Sequence, residues 1–335
     1  MIDYIEISLD NCKDTPFFTH CKPFPCKLNM YGWQSFILEG CKEMEVFWRP
    51  EDNTLKVKGS LPYFFQGHNF IFGRESFIDC VEYLQSILGV GLWNAVVNEF
   101  EYGCIFPVTG KPSGYIRNHS ALLHSALMLN ERGRDKGAFR WWEDSRGMAL
   151  KLYDAGKNIK MKQGLKAREV IESCGYDATK NYLKFEIHTK QPATLNDGKI
   201  LRLETLQNPS FLLHLNDAVI QQYKRLHPMA TLVPSTDKKK LSALGIVLSC
   251  YALDQMDKGI PLPEMRKNIY SFINQQEVLS TKDRDSRKAT IKRAFDKLVL
   301  SDTSRWDLSE DIKRALIKEI KPVEGLSSQE VVIVH

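Results

Sequence analysis

Alternation of apolar and polar residues runs through the first two hundred positions. Ile5, Ile7 and Leu9 alternate with Tyr4, Glu6 and Ser8, the period of a strand with one face in a core. Tyr31 to Leu38 reads as extended. Glu45-Val46-Phe47-Trp48 and Leu55-Lys56-Val57-Lys58 flank Pro50-Glu51-Asp52-Asn53, which predicts a hairpin and its turn. A long strand is predicted over 94–106. Ala138 to Trp142 and Met148 to Tyr153 make a second hairpin around Glu143 to Gly147. Tyr182 to Thr189 alternates most cleanly, with Leu183, Phe185 and Ile187 against Lys184, Glu186 and His188.

Helical periods interrupt these strands. Ser76 and Asp79 with Phe77, Ile78, Val81, Leu84 and Leu88 predict a capped amphipathic helix that Gly89 and Gly91 stop. Shorter helices are expected over 121–128 and around 165–174, the former followed by a charged loop from Asn130 to Lys136. The chain between Asp154 and Lys157 reads as a strand end. Beyond Leu201 the pattern becomes helical throughout. Asn208 and Pro209 are suited to the N-cap and first turn of a helix reaching about Leu226. Four further helices are predicted, over 241–256, 264–274, 284–300 and 310–320. The expectation is an α+β chain. An antiparallel sheet of about five strands with flanking helices would occupy residues 1–205, and a helical C-terminal region residues 206–335.

Composition narrows the class. The 335 residues are 43% hydrophobic and 26% charged, ordinary for a globular chain and ample for a core. No run approaches the roughly 18 uncharged apolar residues of a membrane span, and no signal-peptide pattern opens the chain. These features point to an intracellular protein. A net charge of +5 permits a nucleic-acid partner without requiring one. The eight cysteines include no Cys-x-x-Cys, so they read as thiols in a reducing compartment. A zinc site from His20, Cys21, Cys26 and Cys41 would match no common finger spacing.

Chemistry enters through the polar faces. The segment Gln66-Gly67-His68-Asn69, ahead of Gly73, sets an imidazole beside a glycine that allows close backbone approach. In the 94–106 strand Glu99, Glu101 and Gly103 share a face. Lys151 and Tyr153 share one in the next hairpin, as do Glu186 and His188 in the later strand. If these strands share one sheet, the side chains converge. Carboxylates with one imidazole suit Mg²⁺ or Mn²⁺ better than zinc. A tyrosine beside such an ion can be a phosphoryl acceptor, and Lys151 is placed to hold phosphate. Periodicity alone is equally compatible with a solvated polar face.

Met1-Ile2-Asp3, the Gln66–Asn69 segment with Gly73, Leu152-Tyr153-Asp154 with Lys157, and Lys184-Phe185-Glu186 occur in that order. Together they resemble the replication proteins of filamentous phages (the gene II/gene X family) and related small-plasmid initiators, over about residues 1–225. The resemblance implies a variant of the HUH nickase fold and rolling-circle initiation in the cytoplasm of a bacterial host. In that chemistry the origin DNA, single-stranded or in a hairpin at the nick site, is cut through a covalent 5′-phosphotyrosine that leaves a 3′-OH. It further implies Tyr153 as nucleophile with Lys157 on its motif, and a Mg²⁺ or Mn²⁺ site using His68, Glu101 and Glu186, with Glu99 beside them. Host polymerase or helicase would be the partners, with no membrane involved.

Two departures stand out. Where the family usually has Arg-x-Asp, this chain has Glu99-Phe100-Glu101, and the His-hydrophobe-His pair of the wider superfamily is absent. A non-catalytic origin-binding protein and a mobilisation relaxase are therefore alternatives. In the helical rear, Lys238 to Lys240 and the series from Lys282 to Arg293 offer basic surface, with Arg287 and Lys288 as candidate DNA contacts.

Overall fold

The computed structural model describes residues 1–10, 12, 21–23, 31–39, 43–121, 127–130, 139–228, 243–257, 260, 262–296, 298 and 306–320. In chain order it begins with strands β1 (Ile2–Leu9), β2 (Cys21–Pro23), β3 (Gln34–Leu38), β4 (Met44–Arg49) and β5 (Thr54–Ser60), then helices α1 (Leu61–Gln66) and α2 (Arg74–Leu88). The long β6 (Val96–Val108), α3 (Pro112–Arg117), β7 (His119–Ala121), β8 (Met128–Asn130), β9 (Phe139–Glu143) and β10 (Met148–Asp154) follow. Then come α4 (Ala155–Gln163), α5 (Ala167–Ser173), β11 (Asn181–Thr189), α6 (Pro209–Tyr223), β12 (Leu226–Pro228), α7 (Ala243–Asp257), α8 (Leu262–Asn274), α9 (Thr281–Phe295) and α10 (Ser309–Ile320).

The architecture is α+β, but the sheet is about twice the expected width. Its order is β2-β3-β4-β5-β1-β6-β11-β10-β9-β8, antiparallel at every junction. Eight strands have five or more residues, and three-residue strands close both edges. Both predicted hairpins form. Each extends the same sheet on opposite sides of β1, β6 and β11, because antiparallel neighbours joined by short turns have no reason to leave it. β7 and β12 pair separately.

One face of the central strands is apolar and carries helices. Phe100, Tyr102, Cys104 and Phe106 of β6 and Leu183, Phe185 and Ile187 of β11 are fully buried there. The hydroxyl of Tyr102 donates to Asn216 of α6 at 2.7 Å, and the Phe185 ring meets Tyr223 edge-on. Leu212, Leu215 and Val219 of α6 and Ile312 and Leu316 of α10 belong to the same core. The core therefore runs past residue 205, whereas Leu248, Ala252, Met265 and Phe295 of α7, α8 and α9 form a second cluster. Asn208 caps α6 as expected, its side chain accepting from the Ser210 amide at 2.9 Å.

Three local expectations change. α2 starts at Arg74, not at Ser76, because Gly73 is extended and its carbonyl takes the Phe77 amide at 3.0 Å. Asp154 ends β10 but also caps α4, accepting from the Lys157 amide at 2.8 Å, so a helix stands where a plain strand end was read. The segment between the first hairpin and α2, for which no element was predicted, forms α1, closed by Gly67 at φ +76°. The 121–128 helix, the Asn130–Lys136 loop, the zinc candidates and Lys238 to Lys240 lie wholly or largely outside the described residues. Among the described residues Cys12, Cys80, Cys104, Cys174 and Cys250 form no disulfide, and no described helix is long and apolar enough to cross a membrane.

Gly103 of β6 lies opposite Glu186 of β11. An added Cβ would lie 2.1 Å from the Phe185 carbonyl oxygen and 2.6 Å from Cβ of Glu186. Backbone atoms cannot yield cheaply, so Gly103→Ala should cost at least the ~1–3 kcal/mol of an overpacked core site. Urea unfolding measures this, and a cost under about half a kcal/mol would contradict the register described.

Candidate functional site

The opposite face of the same strands carries charge. Antiparallel register sets Glu186 across from Gly103 and His188 across from Glu101, while Lys151 lies opposite Glu186 and Tyr153 opposite Lys184. Side chains alternate along each strand, so Glu99 and Glu101 of β6, Lys151 and Tyr153 of β10, and Lys184, Glu186 and His188 of β11 project together. The missing side chain of Gly103 leaves room for Glu186.

Asp3 joins them from β1. Strict alternation with Ile5 and Ile7 would send Asp3 to the helix-covered face. A register shift between Ile2 and Ile5, where β1 has one residue more than β6, breaks that alternation. Asp3 is buried among polar partners: Ser60 donates to its Oδ1 and Asn69 to its Oδ2, each at 2.6 Å, and Tyr63 donates to Asn69 at 3.1 Å. Single oxygens of Asp3, Glu101 and Glu186 all lie within 4.8 Å of one another.

Two lysines interleave the three acids. Lys184, buried, pairs with Asp3 and sits 2.8 Å from Oε2 of Glu186. Lys151 pairs with Glu101, lies 3.8 Å from Glu186 and faces the Trp141 ring at 5.1 Å. The Tyr153 hydroxyl donates to Oε2 of Glu186 at 3.3 Å, with Lys184 5.8 Å from its ring. His188 pairs with Glu99, and its Nδ1 lies 3.6 Å from Glu101 with no hydrogen-bond partner. Tyr4, Trp141 and Phe139, all partly exposed, edge this surface.

The electrostatics follow from burial. Burial, then the charge of Glu186, pushes the Glu101 carboxyl up to about 8 against the pull of Lys151. Burial and Glu186 also raise the Tyr153 hydroxyl well above its ordinary range, and Lys184 opposes them. Burial alone would discharge Lys184, but Asp3 and Glu186 overrule it and hold it charged. For Asp3 the same contest ends in a lowered carboxyl, because Lys184 and three hydrogen-bonding side chains outweigh burial. Burial and Lys151 keep His188 neutral.

Tyr153, Glu101 and Glu186 thus come together, with Glu99 one contact away through His188. His68 does not. It is half-buried beyond the end of α1, with Gln66 Nε2 at 3.2 Å from its Nδ1 and the Cys174 thiol 3.9 Å from its Nε2, and loss of water lowers it to about 4. The amide of the same segment, Asn69, is what touches the cluster. Lys151 turns inward to Glu101. Lys157 lies exposed in the first turn of α4. Arg287 and Lys288 are on α9, in the second cluster's helices, with Lys288 3.8 Å from Asp285. Asp3 and Lys184 were missed as participants. In the sequence they stand as an acid in a half-buried opening strand and a cation between Leu183 and Phe185, each also inside a segment that carries the resemblance.

The donor set fits a hard divalent cation: three carboxylates from three strands, oxygen only. No metal-binding group is complete without competition, since both ammonium groups already share these oxygens.

A pH dependence follows. The raised Glu101 carboxyl gives stability that is full below about 4.5, declines above it and is gone above about 8. His68 and His119, both held near 4 by burial, and His188 act oppositely, removing stability as pH falls below 6.5. Among the described residues, Glu101 is the group whose shift spans pH 6.5 to 8. In EDTA the unfolding free energy should fall by about 2 kcal/mol across that window. Glu101→Gln should flatten it, and a rise, or an unchanged slope in the variant, would refute the assignment.

Comparison with family models, with curated proteins and with solved structures finds no match for this chain.

Proposed function

We propose that this chain is a metal-dependent DNA nickase and strand transferase that initiates rolling-circle replication. The supporting observation is the hydrogen bond from the Tyr153 hydroxyl to Glu186, one acid of a buried three-carboxylate cluster on a single sheet face. That combination serves transesterification at phosphorus. The Tyr153 oxygen bonds to phosphorus, the bond from phosphorus to the 3′ oxygen breaks, and Glu186 takes the phenolic proton. The departing 3′ oxygen gains a proton from solvent and becomes the 3′-OH that a polymerase can extend. The reverse reaction reseals the strand without ATP, since the phosphotyrosine keeps the energy of the diester.

Asp3, Glu101 and Glu186 would hold Mg²⁺ or Mn²⁺, which when bound supplies Lewis-acid polarisation of the phosphodiester. Lys184 lowers the cost of charge on the Tyr153 oxygen. Tyr4, Phe139 and Trp141 offer ring faces on which unpaired bases can stack, at ~1–3 kcal/mol per base.

A second reading, a non-catalytic origin-binding protein, is favoured by one observation: Lys151 and Lys184 already neutralise the acids, and Tyr153 is held protonated. Incubation with supercoiled DNA carrying the origin and Mg²⁺, then a denaturing gel and peptide mapping, separates the two. Tyr153→Phe should reduce nicking and adduct by at least about a thousandfold while DNA binding stays within about twofold. Glu101→Gln and Glu186→Gln should cut the rate with partial recovery at high Mn²⁺. An adduct on another tyrosine would overturn the assignment, and no adduct from the unmodified protein would hand the site to the second reading.

A further inference from the structure

The chain that leaves the site through Tyr153 enters α4 at once. From Ala155 to Ala167 it carries four basic residues and no acidic one, while Arg168 just beyond pairs with Glu172 at 2.8 Å. Helical spacing puts Lys157, Lys160 and Met161 on one side of α4, and all three are exposed, while Ile159 faces the body and is buried. The short turn after α4 bends at Gly164, φ +57°, and lifts Leu165 entirely into solvent, at 101% of its reference area, beside exposed Lys166. Met161 is 72% exposed. Two large apolar side chains this open, framed by cations, are costly for an isolated surface and useful for a bound one.

The patch is tied to the site rather than merely near it in sequence. Lys162 lies 3.5 Å from the centre of the Tyr63 ring, and Gln163 donates to the Gly67 carbonyl at 2.6 Å. Tyr63 in turn donates to Asn69, and Asn69 to Asp3. These contacts join the body of α4 to the carboxylate cluster, while its exposed Lys157 and Lys160 face solvent. By contrast α9 mixes its cations with Asp283, Asp285 and Asp296, and two of these pair with Lys288 and Lys292.

We infer that α4 and the turn after it form the docking surface for single-stranded DNA, its lysines on the phosphates and Met161 and Leu165 against unstacked bases. This rests on the DNA-processing reading and names where the substrate lies. Cations without acids complement a polyanion, and the apolar pair complements the faces that only an unpaired strand exposes.

The test is fluorescence anisotropy of the full chain with a labelled 20-nucleotide oligo-dT in EDTA, over a series of NaCl concentrations. Lys160→Gln/Lys166→Gln should make the log–log salt slope shallower by about 1.4, two phosphate contacts' worth, and weaken binding about tenfold at 0.1 M salt. Met161→Ser/Leu165→Ser should weaken binding with the slope unchanged. All four positions are exposed, so thermal melting should match the unmodified chain. An unchanged slope in the lysine variant overturns the inference, most directly if Arg287→Gln/Lys288→Gln changes it instead. Failure to bind the oligonucleotide while binding phosphatidylserine vesicles overturns it too, making the patch a membrane surface. None of these readouts uses Tyr153 chemistry, so nicking could survive the loss of this inference, and the inference the loss of nicking.

Discussion

A carboxylate withdrawn from water costs several kcal/mol unless something answers its charge, and this protein withdraws three into a space 4.8 Å across. Lys184 is the answer to two of them and Lys151 to the third. The arrangement is interdependent, since loss of either lysine would strand a buried negative charge, commonly a cost of about 3–5 kcal/mol. Glu101 records the incompleteness of this compensation: even beside Lys151 it prefers its proton into the neutral range.

The cluster forms because the two faces of the sheet are treated so differently. Helices α6 and α10 cover the apolar face, which fixes which side of β6 and β11 is left for charge. Gly103 lets the strands close at the point where Glu186 must fit. The register shift in β1 then turns Asp3 toward Lys184. Each is a backbone device, and the charges follow from it.

The same lysines that stabilise the resting site set its chemical character. Burial and Glu186 hold Tyr153 protonated while Lys184 opposes them, so the proposed chemistry would need substrate and a divalent ion to change that balance. The hydrogen bonds from Tyr63 to Asn69 and from Asn69 to Asp3, with Lys162 of α4 over the Tyr63 ring, link that balance to α4.

Alternation along β6, β10 and β11 was legible in the sequence, and with it the same-strand pairs Glu99 and Glu101, Lys151 and Tyr153, and Glu186 and His188, because a strand repeats every two residues whatever surrounds it. The caps were legible where side chain and helix are adjacent, as at Asn208. The helix at Ala155 was hidden because Gly156 looks like a turn residue while Asp154 serves both strand and cap. His68 was read as a ligand from its glycine neighbour, but α1 ends at Gly67 and sends it to Cys174. Asp3 obeys no period, since the residue that shifts its register is visible only when β1 is paired with β6. Local periodicity is a property of the chain itself, so the sequence determined which side chains share a strand face. Which faces meet, which lysine lies between which acids, and which groups are denied water depend on residues far apart in the chain, 181 positions for Lys184 and Asp3, and only the tertiary structure decided them.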